Sequence, residues 1–257
     1  MMRKTALSTI ILAMAGPAAA MAPAAGAADV AAAVAAPGRP KAATDLDEVR
    51  KPAEVLRFMG LKKGDRALDY FTGTGYYAEI MARAVGPKGH VVGWNSASFG
   101  RNEKVVSALK DVRRRNPNTA FYSSPSTAIS FAPNSFDFAL LHLVYHDAYW
   151  ESAQYGLPRI DPNTVVKAVW DALKPGGTVA VIDHVAVAGG DTRGVVEKLH
   201  RIDPAVVRAD FERAGFVLEA RSDLLRVPAD DHSKNVFDPS IRGKTDRFVY
   251  RFRRPAR

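Results

Sequence analysis

Residues Phe136–Val144, Phe-Asp-Phe-Ala-Leu-Leu-His-Leu-Val, form an almost unbroken apolar run. Such a strand has to be covered on both faces, which happens where a parallel sheet lies between two layers of helices. The flanking sequence has the matching rhythm. Arg66–Phe71, His90–Trp94, Thr119–Tyr122 and Thr178–Val187 read as strands, with Phe216–Ala220 and Arg247–Phe252 closing the chain. Between them, Tyr76–Val85 and Glu103–Arg115 carry apolar residues at helical spacing, and Asp161-Pro162 and Asp203-Pro204 open two more helices with an Asp cap and a Pro at the first helical position. A leading helix is expected over Asp45–Met59. Alternating strands and helices predict an α/β fold with a single doubly wound, mostly parallel sheet over residues 45–257. Ligands in such folds sit beyond the carboxyl ends of the strands, near the point where strand order reverses.

The first 36 residues stand apart, with 16 Ala and only Arg3, Lys4 and Asp29 charged. Met1-Met2-Arg3-Lys4 makes a positive start, Ala6–Ala15 an apolar run, and Ala18-Ala19-Ala20 or Ala25-Gly26-Ala27 a small-residue cleavage site. Residues 1–28 are therefore expected to be an export signal, 29–44 a linker, and the mature protein periplasmic or secreted. The run is too short for a stable membrane span. The 257-residue chain has no Cys, which excludes disulfides, thiolate nucleophiles and Cys-ligated metals. Its net charge of +9 is dispersed apart from Arg113-Arg114-Arg115 and the tail Arg251–Arg257, both read as solvated surface, so no nucleic-acid partner is expected.

Leu68-Asp69-Tyr70-Phe71-Thr72-Gly73-Thr74-Gly75 runs from a strand through a glycine turn into a helix. Glycines let a ligand approach the backbone, and the helix start offers unpaired N–H groups to an anion. Taken alone, Gly73-x-Gly75-x-x-Ala78 also suits a dinucleotide.

With Ser135-Phe136-Asp137 and Leu173-Lys174-Pro175-Gly176-Gly177 added, the chain resembles the class I S-adenosylmethionine-dependent methyltransferases, and within them a group of bacterial members with export signals. The resemblance covers about residues 45–254 and implies a Rossmann-like methyltransferase fold with S-adenosyl-L-methionine as cofactor. By resemblance, Gly73 and Gly75 shape the loop under the methionyl part of the cofactor, Asp69 orients that loop or the cofactor's amino group, and Phe71, Asn95 and His142 join the cofactor-binding set. Two positions depart from the family pattern. Phe71 replaces its first loop glycine, and Asn95 stands where a carboxylate normally grips the ribose.

His142-Leu143-Val144-Tyr145-His146-Asp147 ends the central strand, and Asp183-His184 ends the next. A sulfonium already activates its methyl group, so the protein has to align the acceptor and remove its proton. His146 is the expected base, oriented by Asp147 or Asp183, with His184 as the second choice. Tyr145, Tyr149, Trp150 and Tyr155 are expected to form either a packed flap or an aromatic wall for a sulfonium or flat substrate. The long connection Pro228–Thr245 is a lid or binding loop in prospect. No metal is assigned, because His142 and His146 lie four residues apart, about 13 Å along a strand, and cannot share an ion unless the chain turns. His90 and His200 read as ordinary helix or strand residues.

The leading function is methyl transfer to a small molecule. The alternatives are an exported, non-catalytic binding protein on the same scaffold and, behind it, an NAD-linked oxidoreductase.

Overall fold

A computed structural model of the protein describes residues 26–256. The expected export signal lies outside the described residues as far as Ala25. Beyond it the chain forms helices α1 (Val30–Ala35), α2 (Lys41–Thr44), α3 (Asp47–Arg50) and α4 (Pro52–Met59), then β1 (Arg66–Tyr70), α5 (Tyr76–Val85), β2 (His90–Ser96), α6 (Ala97–Gly100), α7 (Glu103–Arg115) and β3 (Thr119–Ser124). There follow β4 (Phe136–His142), α8 (Pro162–Ala172), β5 (Leu173–His184), α9 (Thr192–Leu199), α10 (Pro204–Arg213), β6 (Val217–Ser222) and β7 (Arg247–Arg253). No described helix is long and apolar enough to cross a membrane.

The seven strands lie in the order β3-β2-β1-β4-β5-β7-β6. The first five run parallel, and β7 inserts antiparallel between β5 and β6. Strand order reverses between β1 and β4, which places the cleft at their carboxyl ends. Side chains alternate between two buried layers. Ala139, Leu141, Val179 and Val181 face a layer with α8 and α10, whereas Phe138, Leu140, Ala180 and Ile182 face one with α4 and α5. That two-sided burial is what the apolar run in β4 demanded.

The Asp caps form as expected. Asp161 and Asp203 accept hydrogen bonds from the Asn163 and Ala205 amides, each with Pro at the first helical position. Three expectations change. Asp45–Met59 is not one helix, because Lys51 precedes a proline and turns to φ 45°, splitting α3 from α4. Residues 29–44 are not a bare linker. Asp29 caps α1, Ala is the best helix former, and Val30 and Ala33 lie one turn apart in the buried layer with Val55, Leu56 and Met59. Finally, the arginine clusters are not merely solvated. Arg115 binds Glu79 of α5 through two bonds of 2.8 and 2.7 Å, and Arg251 donates to the Phe58 carbonyl at 2.7 Å.

Candidate active site

The polypeptide leaves β4 at His142, reverses at Leu143 with φ 58°, and enters a single 3₁₀ turn, His146–Tyr149. This reversal brings His146 back over the sheet beside the end of β5. There Asp183, fully buried, holds it at two points: Oδ2 accepts the His146 main-chain N–H at 2.9 Å, and Oδ1 lies 2.8 Å from the ring Nδ1. A buried carboxylate on Nδ1 makes that nitrogen the donor and turns Nε2 toward the cleft. Nε2 stands 3.3 Å from Asp147 Oδ1.

Electrostatics follow from this packing. Burial alone lowers the pKa of His146, but the carboxylates of Asp183 and Asp147 outweigh it and bring the ring to about 9. Burial raises Asp147 to about 6 although His146 opposes the shift. His184, pushed down to about 3 mainly by burial, is neutral, and its Nδ1 lies 2.7 Å from the Thr245 hydroxyl. Of the expected catalytic residues, His146 and Asp147 thus share the cleft with Asp183 as orienter, and His184 stands 6.0 Å from His146, ring to ring, tied to Thr245.

His200 was not expected here. It caps α9 in the left-handed region at φ 51°, and its ring lies 5.6 Å from His146, between Trp150 at 4.7 Å and Phe237 at 5.0 Å. Burial and the neighbouring His146 charge lower it to about 4. The sequence signal was faint: His200 sits in the short junction between one helix and the Asp203-Pro204 start of the next.

The expected cofactor residues meet at the ends of β1, β2 and β4. Asp69 is buried, and burial raises it to about 7 against the hydrogen bonds it accepts from the Thr72 hydroxyl and the Ala78 amide. Its visible contact is therefore with the loop. Phe71 adopts φ 56°, a conformation favouring glycine, and its ring packs on Trp94 and Phe99 at 6.0 and 5.3 Å. Gly73 has open space where a Cβ would stand, whereas Gly75 faces Val112 and Leu109 of α7 at 3.1–3.2 Å, so helix packing is reason enough for glycine there. Asn95 is buried and turned inward: Oδ1 accepts from the Gly73 amide at 2.9 Å, and Nδ2 donates to the Gly73 carbonyl at 3.0 Å. A carboxylate could make only the first of these bonds, so the amide is what clamps the loop. His142 packs its ring 4.7 Å from Tyr77 of α5, and its Nε2 is buried without a hydrogen-bond partner among the described residues.

The flap expected over Tyr145–Ile160 is built as a small hairpin, with Ser152 and Leu157 exchanging main-chain bonds of 2.7 and 2.9 Å. Arg193 of α9 fastens its base by donating to the Tyr149 and Ile160 carbonyls. Trp150, Leu157 and Ile160 close over Phe71, Trp94 and Asp147, leaving about 20 Å³. A small-molecule site holds roughly 300–1,000 Å³, so this cleft as it stands is too small for one. The connection Pro228–Thr245 is bolted to the body by the pair Arg201–Asp230 and carries Phe237 to His200.

Residues 61–215 match the family described as "Methyltransferase domain". A demethylmenaquinone methyltransferase of Geobacillus kaustophilus is 31% identical over 131 residues, 51% of this chain and 50% of that protein. Its counterpart in Listeria monocytogenes serotype 4a is 29% identical over the same length. The chain spans about half the length of these curated relatives. Among solved structures, a SAM dependent methyltransferase from Aquifex aeolicus covers 82% of this chain and 98% of its own, with a TM-score of 0.56 at 20% identity. A putative sarcosine dimethylglycine methyltransferase from Galdieria sulphuraria covers 83% and 86%, with 0.59 at 17%. The two structures share the fold, and the family match over more than half of the chain, with the glycine turn entering α5, places it among the class I S-adenosylmethionine-dependent methyltransferases.

Proposed function

We propose that the protein transfers a methyl group from S-adenosylmethionine, the cofactor of its family, to a small aromatic acceptor bearing a hydroxyl. The observation that carries this reading is Asp183 holding both the backbone and ring of His146 at the reversal point of a methyltransferase sheet. The residues present suit the cofactor in most respects. Gly75 brings α5 no side-chain cap, and while the Gly75 and Ala78 amides serve Thr72 and Asp69, those of Tyr76 and Tyr77 are left to offer. Gly73 leaves open space, and Nε2 of His142 beside α5 has no polar partner among the described residues. Asn95 is the exception, since its amide is committed to Gly73. When bound, S-adenosylmethionine supplies a methyl group that its sulfonium already activates.

The protein's own work is then placement and proton removal. Phe71, Trp94 and Trp150, which line the cleft, give the acceptor an aromatic wall, and Asp147 beside the His146 ring forms the polar end where its hydroxyl docks. His146, held at about 9, takes the acceptor's proton at Nε2 once it has given up its own, so transfer is expected to rise with pH toward that value. Flap closure excludes water from that end. The similarity to demethylmenaquinone methyltransferases makes a demethylmenaquinone-type quinol the first acceptor to assay. Calorimetric titration with S-adenosylmethionine and S-adenosylhomocysteine is expected to show one site per chain, and no binding at millimolar ligand overturns the proposal. Binding without transfer to any phenol or quinol in the assay favours the non-catalytic binding protein instead.

The Ala-rich head supports export to the periplasm or beyond. Gly26 accepts a main-chain bond from Lys63 and Ala28 donates one to Leu61, so cleavage after Ala20 keeps both bonds and cleavage after Ala27 removes the first. Sequencing the amino terminus of protein recovered from the periplasm is expected to give a start at Met21. Recovery of the uncut chain from the cytoplasm alone refutes export.

A further inference from the structure

We infer that His146, Asp147 and His200 form a binding site for one divalent transition-metal ion of the zinc type, with a coordination position left open toward the acceptor. The three ligand atoms, one from each side chain, lie within 4.8 Å of one another. His146 Nε2 is 3.3 Å from Asp147 Oδ1, which in turn is 4.0 Å from His200 Nδ1. Tetrahedral bonds of about 2.0–2.1 Å set ligand atoms roughly 3.3–3.4 Å apart, so the first pair already has the required spacing and His200 has only to draw in. Two imidazoles and one carboxylate are a donor set that suits zinc or iron(II) far better than magnesium.

The surroundings of the three residues support the same assignment. Asp183 bonds Nδ1 of His146 from the side remote from the cluster, which fixes the tautomer and aims the Nε2 lone pair inward, the arrangement that carboxylates provide behind metal-bound histidines. Asp183 itself is fully buried and held by the main-chain N–H groups of His146 and His184, so it is a rigid support. The His200 ring is itself held in place between Trp150 at 4.7 Å and Phe237 at 5.0 Å. Asp147 lines the small cleft under the flap together with Phe71 and Trp94, so the vacant position opens onto the space where methyl transfer is placed. Sequence spacing keeps His142 and His146 from sharing an ion unless the chain turns between them, and on that ground no metal is expected; the chain does turn at Leu143, but it leaves His142 against Tyr77, and His200 arrives from α9.

The site's consequence for catalysis rests on the function proposed above. With an ion bound, His146 Nε2 and Asp147 would serve as its ligands in place of the base, and an acceptor hydroxyl in the open position would be acidified by the ion, as bound water is, losing its proton to solvent before the flap closes. Binding itself does not depend on that reading. The full chain, stripped with a chelator, is titrated with zinc(II) chloride by calorimetry and with cobalt(II), whose visible spectrum reports coordination by nitrogen and oxygen. One ion per chain is expected. His200→Ala abolishes the cobalt spectrum while far-ultraviolet circular dichroism shows the fold intact, Asp183→Asn weakens zinc by about 10–100-fold without removing a ligand, and His90→Ala, on β2, changes nothing. Zinc uptake equal in the wild type and His200→Ala, or none in either, overturns the inference. Zinc uptake without S-adenosylmethionine binding upholds the metal site and refutes the transferase reading, and the converse refutes the metal site alone.

Discussion

Replacing Asp183 by Asn is expected to lower the rate of methyl transfer by about 10²–10⁴-fold while leaving the affinity for S-adenosylmethionine unchanged. Asp183 uses one oxygen for the His146 amide and the other for Nδ1 and the His184 amide. An Asn side chain keeps only one acceptor. If its oxygen stays with the main chain, its NH2 faces Nδ1 and forces the proton onto Nε2, the atom aimed at Asp147 and the acceptor. If the group rotates, the NH2 meets the His146 N–H instead and the turn itself is pushed away. Either way Nε2 loses its lone pair or its position, which is the kind of tautomer error that costs a catalytic histidine most of its effect. The measurement is kcat and KM on the acceptor, paired with a cofactor titration. A matching loss of cofactor affinity would assign Asp183 to general architecture, and an unchanged kcat would remove His146 from the chemistry. His146→Ala should fall in the same range, and the double variant should be no worse than either alone, because the two residues act as one unit.

The legible part of this protein was set by backbone chemistry that acts locally. The β4 run had to be a doubly covered strand, and Asp-Pro at 161–162 and 203–204 had to start helices, because each rule involves neighbours in sequence. The fold and the side of the sheet carrying the site followed from those elements. His146 and Asp147 were likewise visible as strand-end residues. Three features were not, and for one reason: their meaning lies in partners distant in sequence. Asn95 looked like a weakened ribose ligand but meets Gly73, 22 residues earlier, with both ends of its amide. His200 looked inert until α9 delivered it to His146. Val30 and Ala33 were masked by an Ala-rich composition that serves an export signal and a packed helix equally well. Pro52, by contrast, was readable: the residue before a proline avoids the right-handed helical region, so the break at Lys51 was present in the sequence.

Asp230→Ala is expected to destabilise the fold by about 3–5 kcal/mol, the cost of leaving a buried guanidinium without its counter-ion. Arg201 is fully buried and bonds both Asp230 oxygens at 2.9 Å, with further bonds to the Val185 and Lys234 carbonyls. Asp230 also accepts the Asp246 amide at 2.6 Å, so one carboxylate ties the end of α9, the start of β7 and the connection between them. The melting temperature should drop by roughly 6–20 °C for a domain of this size. A partial rescue discriminates pairing from simple truncation. Arg201→Met combined with Asp230→Ala removes the orphaned charge and should recover part of the loss, but not all, because the Val185 and Lys234 carbonyls and the Asp246 amide then lack partners. The pH dependence has a definite sign. Burial raises Asp230, but Arg201 and the Asp246 amide outweigh it and hold the carboxyl below its ordinary value, so the folded state binds this proton less readily than the unfolded chain. The contribution is therefore fully present above the ordinary carboxylate pKa and is lost as pH falls through it toward the depressed value. Urea midpoints taken between neutral and acidic pH should converge for wild type and Asp230→Ala at the acidic end. Parallel curves at every pH would place the stabilisation in packing and not in the charge. Because the same connection carries Phe237 to His200 and Thr245 to His184, partial unfolding here should weaken zinc and acceptor binding before the parallel sheet is lost.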